Sequence, residues 1–173
     1  MSKYKPLSSI TTPRFAEVST FFRLPIEKEL NNLDYCICGV PWDGGTTNRP
    51  GARHGPREIR NASSLIRVYH PNSLKSPYDN FNVADIGDCP VNPADLNDTL
   101  KKIEKFYTKI ASSNTIPISF GGDHLVSLPI LRGLKNKKPF GLFQFDSHSD
   151  TWDSYFGDYK YTHGTPFRRA IEE

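Results

Sequence analysis

Residues 115–124 read TIPISFGGDH: an apolar, β-branched run that stops on two glycines and then presents Asp123 and His124. A short run of this kind, bounded by glycine, predicts a buried strand. Residues placed directly after it lie at the strand's carboxyl end, where open α/β sheets gather their ligands. Outward from this stretch the pattern recurs. DYCICGV (34–40) is a strand followed by the Gly-rich loop PWDGGTTNRPGARHG (41–55); NVADIGD (82–88) is another; FGLFQF (140–145) is a fourth that runs into DSHSD (146–150). Helical periods lie between them. Pro56 opens one helix, with Ile59, Ala62, Leu65, Ile66 and Tyr69 on one face. Asn92 and Pro93 cap and open a second, striped with Leu96, Leu100, Ile103, Phe106, Tyr107 and Ile110. A short helix follows His124 through Leu131, and Thr165 and Pro166 start the last one. Apolar strands alternating with amphipathic helices predict an α/β fold whose parallel sheet is covered on both faces. Residues 1–33, polar and broken by prolines, are predicted as an irregular arm, and 34–173 carry the fold.

Composition narrows the function. At 173 residues, 36% apolar and 24% charged, the chain suits one globular domain. A net charge of +3, with no Lys/Arg cluster on a helical face, argues against nucleic acid. No run of about 18 apolar residues is present, which argues against a membrane span. The start, MSKYKPLSSITTPRF, lacks the apolar core of a secretory signal, so a cytoplasmic protein is expected. Cys36, Cys38 and Cys89 make an odd count and are read as reduced, buried small hydrophobes. The loop DGGTTNRPG has neither the spacing nor the lysine of a P-loop, which argues against a nucleotide site.

The chemistry concentrates at two strand ends. His124 follows one strand; Asp146, His148 and Asp150 follow the next. Crowded carboxylates repel unless a counter-charge joins them. A divalent cation supplies it, and an oxygen-rich, histidine-supplemented set suits manganese better than a thiolate-type zinc site. If the backbone stays extended, D-x-H-x-D sends all three side chains to one side. Asp123 is expected to orient a ligand or the loop. His163, just before the last helix, is a candidate proton shuttle. His54 and His70 read as structural. The loop TWDSYFGDYKY is expected to face the substrate tail: Asp153 and Asp158 would suit an amine, Lys160 a carboxylate.

These residues resemble the ureohydrolase family of arginases, agmatinases and related guanidino-compound hydrolases. The resemblance covers roughly residues 34–170 and rests on GVPWDGGTTNRPGARHGPREIR, FGGDH, FDSHSDT and HGTPF, with Ser147 where the family usually has alanine. HGTPF is most like the agmatinase and guanidinobutyrase branch. The resemblance implies a three-layer α/β/α sandwich, trimers or hexamers, and two manganese ions. It implies that His124, Asp146 and Asp150 ligate one ion and His148 and Asp146 the other. It also implies that a metal-bridging hydroxide attacks a small guanidino substrate, with Asp150 giving a proton to the leaving amine and His163 relaying protons. Agmatine is the first substrate expected; guanidinobutyrate, guanidinopropionate and guanidine are the alternatives.

The family's S-x-D-x-D motif and a later glutamate do not occur in this sequence. The last helix has room for about two turns and finishes on Glu172 and Glu173, acids at the unfavourable end of its dipole. The chain is therefore read as the N-terminal part of a longer protein, inactive alone. The competing reading is a non-catalytic fragment that serves only to bind metal or to oligomerise.

Overall fold

The protein is described from a computed structural model covering residues 4–135 and 139–173. Three strands, β1 (Tyr35–Val40), β2 (Val83–Asp88) and β3 (Ile116–Gly121), form a parallel sheet in the order β2-β1-β3. Each lies within one residue of its predicted bounds. Alternation along β1 builds two cores. Cys36, Cys38 and Val40 pack with Ile103, Tyr107 and Ile110 on one face, and Ile37 packs with Phe21, Leu24 and Val83 on the other. Helix α2 (Leu96–Ala111) supplies the first face; α1 (Gly55–Ser63) and residues of the arm supply the second. The result is three layers, α/β/α. The three cysteines are free and buried, and burial pushes the Cys36 and Cys89 thiols up to about 12.

The predicted stripe of α2 is the buried one: Leu100, Ile103, Tyr107 and Ile110 are all under 5% exposed. Its start differs from the expectation. Asp95, not Asn92, is the cap, its carboxylate accepting the Asp98 N–H at 2.9 Å. Asn92 makes a turn instead: its Oδ1 accepts from Ala94 N, and its own N–H donates to the Thr99 hydroxyl. Helix α3 (Ser127–Leu134) runs three residues further than predicted and packs on α2. The contact is close at Gly133, where a Cβ would stand 2.5 Å from the Glu104 carbonyl oxygen.

Helix α1 is shorter than its periodicity suggests. It ends at Ser63, and Leu65, Ile66 and Tyr69 are half or more exposed. The Ser63 hydroxyl donates to the Arg60 carbonyl and accepts from Phe22 N, side-chain bonds that compete with continuing the helix.

Residues 140–145 do not form the predicted fourth strand. They are exposed and irregular, with Phe143 90% and Phe145 98% accessible. A strand exists through its ladder partner, and among the described residues none lies alongside. The arm behaves differently. It is irregular as predicted, yet Tyr4, Phe21, Leu24, Leu30 and Leu33 are buried, and it runs beside β2. The Asp85 N–H donates to Pro25 O at 3.0 Å and the Glu27 N–H to Asp85 O at 3.1 Å.

Candidate metal centre

The loops at the carboxyl ends of β1 and β3 are laced together. Gly122 N donates to Val40 O (3.2 Å) and Asp123 N to Trp42 O (2.7 Å). A side chain at Gly122 would collide with this passage, since its Cβ would lie 2.0 Å from Trp42 O. Asp123 is buried and, as expected, orients the loop: Oδ2 accepts Gly45 N at 2.6 Å and Oδ1 accepts Leu125 N at 2.8 Å. Burial raises its pKa, partly offset by those two N–H donors. His124 is thereby fixed at the start of a short 3-10 turn, with its imidazole and the Phe167 ring in a T-shaped contact, centroids 5.2 Å apart.

Asp146 and Asp150 reach His124 from the neighbouring segment. His124 Nδ1 lies 2.5 Å from Asp150 Oδ2 and 3.7 Å from Asp146 Oδ2. One donor atom from each of the three residues falls within 4.8 Å of the others. Two carboxylates and an imidazole at that spacing fit a divalent, oxygen-preferring cation, which would supply the counter-charge the cluster needs.

The backbone that delivers them is not extended, contrary to the condition set by simple alternation. Asp146 Oδ1 accepts the His148 N–H at 3.0 Å, closing a bend; this bond is the first cause of the lowered Asp146 pKa, with the nearby His124 and His148 charges adding to it. Asp150 is left-handed, with φ 48°, a conformation costing a non-glycine residue about 1 kcal/mol. The bend turns the His148 side chain outward. It is 82% exposed, with Nδ1 3.9 Å from Asp146 Oδ1, beside the three-residue group rather than within it.

The last loop locks onto this rim. Phe167 N, at the start of α4 (Pro166–Glu172), donates to Asp150 O, and Trp152 N donates to Gly164 O. Thr165 stands at the N-cap position of α4 with Pro166 next, as expected, but makes no side-chain cap bond; its hydroxyl donates back to Thr162 O and Lys160 O. His163 is tied to the Gly-rich loop, its N–H donating to Gly45 O at 2.9 Å and its Nε2 lying 2.8 Å from Thr47 Oγ1. The loop 151–161 contains a small hairpin in which Tyr155 and Tyr159 exchange both backbone hydrogen bonds. Asp153 is paired with the buried Arg169 at 2.5 Å. His54 ends the short 3-10 turn before α1, and His70 sits in a turn of its own, its Nδ1 facing Ser73 Oγ. Thr47 and Phe167 were not singled out from sequence. Thr47 stands 116 residues from its partner, and no local pattern announces a pairing at that distance.

No helix among the described residues is long and apolar enough to cross a membrane. Residues 33–173 match the model of the Arginase family. A guanidinopropionase from Pseudomonas aeruginosa is 58% identical over 98% of this chain and 53% of its own length. A guanidinobutyrase from the same organism is 44% identical over 98% of this chain and 54% of its own. The chain thus spans about half the length of these curated relatives. Among solved structures, the proclavaminate amidino hydrolase from Streptomyces clavuligerus superposes with a TM-score of 0.86 at 35% identity, covering 93% of this chain and 54% of that one. A Trypanosoma cruzi formiminoglutamase with Mn2+ gives 0.73 at 25% identity, over 89% and 52%. With its parallel three-layer fold and its motifs at the strand ends, the chain belongs to the arginase family.

Proposed function

We propose that the protein of which these residues form a part is a manganese-dependent hydrolase of an ω-guanidino acid, releasing urea and an amino acid. The observation that carries the reading is the convergence of His124, Asp146 and Asp150 at the strand ends. The guanidino substrate follows from the relatives named above, and 3-guanidinopropionate ranks ahead of agmatine because of the 58% identity to a guanidinopropionase.

His124, Asp146 and Asp150 would hold one ion, and His148, beside Asp146, is the residue available to a second. Bound manganese would supply hydroxide at neutral pH and polarise the reacting group. The chain's own residues do the rest. Phe167 and the Asp123 loop hold the His124 ring in place, and the Phe167 N–H holds the Asp150 carbonyl. Water adds its oxygen to the guanidinium carbon, the bond to the substituted nitrogen breaks, and a proton placed on that nitrogen by Asp150 lets the amine leave. His163 exchanges protons with solvent to restore Asp150.

The test is urea release by the manganese-loaded full-length protein offered 3-guanidinopropionate, 4-guanidinobutyrate, agmatine and arginine. The guanidino acids should be turned over fastest and arginine slowest. Preferential arginine hydrolysis would sink the substrate assignment, and no urea from any of the four would sink the reaction. The competing reading, a fragment that binds metal without catalysis, is favoured by one observation: only three donor residues converge among the described residues. About two ions per chain would support the enzyme, one or none the fragment.

A further inference from the structure

The Gly-rich loop 41–55 has no task in the chemistry above, although it is the most elaborately fixed loop on the rim. Asp43, buried, accepts from Gly51 N at 2.6 Å and Arg53 N at 3.2 Å and pairs with the Arg53 guanidinium. Gly45 N is held by Asp123 and Gly45 O by the His163 N–H. Between these anchors Thr47, half-buried, points its hydroxyl at His163 Nε2, 2.8 Å away. The Tyr155 ring flanks the same imidazole at 6.3 Å.

We propose that Thr47 is a positioning residue for His163. The proposal rests on the reading of His163 as the proton relay. A threonine hydroxyl both donates and accepts, so it stays bonded to Nε2 whether the ring is neutral or cationic. With Nε2 held by Thr47, Nδ1 is the ring nitrogen left open. In the tautomer whose Nε2–H donates to Thr47, a proton enters at Nδ1 from solvent, making the imidazolium, and leaves from Nδ1 toward the reaction. Thr47 thus keeps the ring from turning and keeps Nδ1 open to exchange.

The test is a double-mutant cycle with Thr47→Val, which keeps the shape and removes the hydroxyl, Thr47→Ser, which keeps it, and His163→Ala. It is run in the manganese-loaded full-length protein with 3-guanidinopropionate. Thr47→Val should lower kcat about tenfold, part of what a positioned acid–base group contributes, with KM and manganese content unchanged. Thr47→Ser should recover most of the loss. In the His163→Ala background Thr47→Val should cost nothing further, because the residue acts only through the ring. A second readout needs no turnover. In metal-free protein, the NMR signals of the His163 ring should report one fixed ring orientation for the wild type and Thr47→Ser, and averaging over several for Thr47→Val. Additive losses, or an unchanged ring orientation in Thr47→Val, overturn the role of Thr47 and leave the relay standing. A harmless His163→Ala overturns the relay and this proposal with it. If Thr47→Val does not fold, Thr47→Ala carries the same cycle.

Discussion

The two edges of the sheet are finished in opposite ways. At the β2 edge the arm adds a bridge at Asp85 and buries Phe21 and Leu24. Asp85 is the hub. Its carboxylate accepts from Phe21 N (3.0 Å), Arg60 Nε (2.8 Å) and Gly87 N (2.8 Å), and the Arg60 guanidinium lies 4.0 Å above the Phe21 ring centre. At the β3 edge nothing among the described residues pairs, Ile116 and Ile118 are 54% and 42% exposed, and Phe143 and Phe145 stand in solvent. A parallel sheet is stable when covered, and an open apolar edge invites another chain. The comparison teaches that the arm, although irregular, is part of the core, and that the segment bearing Asp146, His148 and Asp150 is the one with least support.

The largest effect should come from the covered edge. Phe21 is fully buried and stacks on Phe120 at 4.8 Å, so Phe21→Ala should cost about 3–5 kcal/mol in denaturant unfolding. At the open edge the same chemical change, Phe145→Ala, should shift stability by less than about 0.5 kcal/mol. A costly Phe145→Ala in residues 1–173 would break the comparison. In a longer chain the same substitution becoming costly would show that further residues cover this edge.

An intermediate effect belongs to the loop after β1. The Arg53 guanidinium, ahead of the Gly51 and Arg53 N–H donors, holds the Asp43 carboxyl at about 2, below its ordinary 3.8. A depressed carboxyl stabilises the fold above its unfolded pKa, and that stability is lost as pH falls through the folded value. With Arg53 43% exposed and screened, the contribution is about 1 kcal/mol. Wild type should therefore lose that advantage over Asp43→Asn between about pH 4 and pH 2. Parallel pH profiles for the two proteins would show that the pair contributes nothing.

Much of the fold was legible because the core is continuous. β1, β2, β3 and the α2 stripe are apolar at the right period, and burial follows it in β1, β2 and α2; β3 forms as expected but is half exposed, because among the described residues nothing covers its outer edge. What failed did so for local reasons. Leu65, Ile66 and Tyr69 continue the helical period, but Ser63 spends its hydroxyl on the backbone and ends the helix first. Asn92 and Pro93 look like a helix start, yet Asp95 is placed to reach Asp98 N. FGLFQF reads as a buried strand because its side chains are apolar, but a ladder needs a neighbour that sequence pattern does not report. The site was legible as a list of residue types. Its geometry was not: the Asp146–His148 bend, the left-handed Asp150 and the Thr47–His163 bond each depend on backbone turns or contacts far apart in sequence.

The most direct test of the account is manganese binding by the purified protein, measured by elemental analysis and titration for wild type, His124→Ala, Asp146→Ala and Phe145→Ala. If the three converging residues form the metal centre, His124→Ala and Asp146→Ala should weaken binding by more than about tenfold, Asp146→Ala most, while Phe145→Ala binds as the wild type does. Wild-type affinity in both ligand variants would contradict the centre itself.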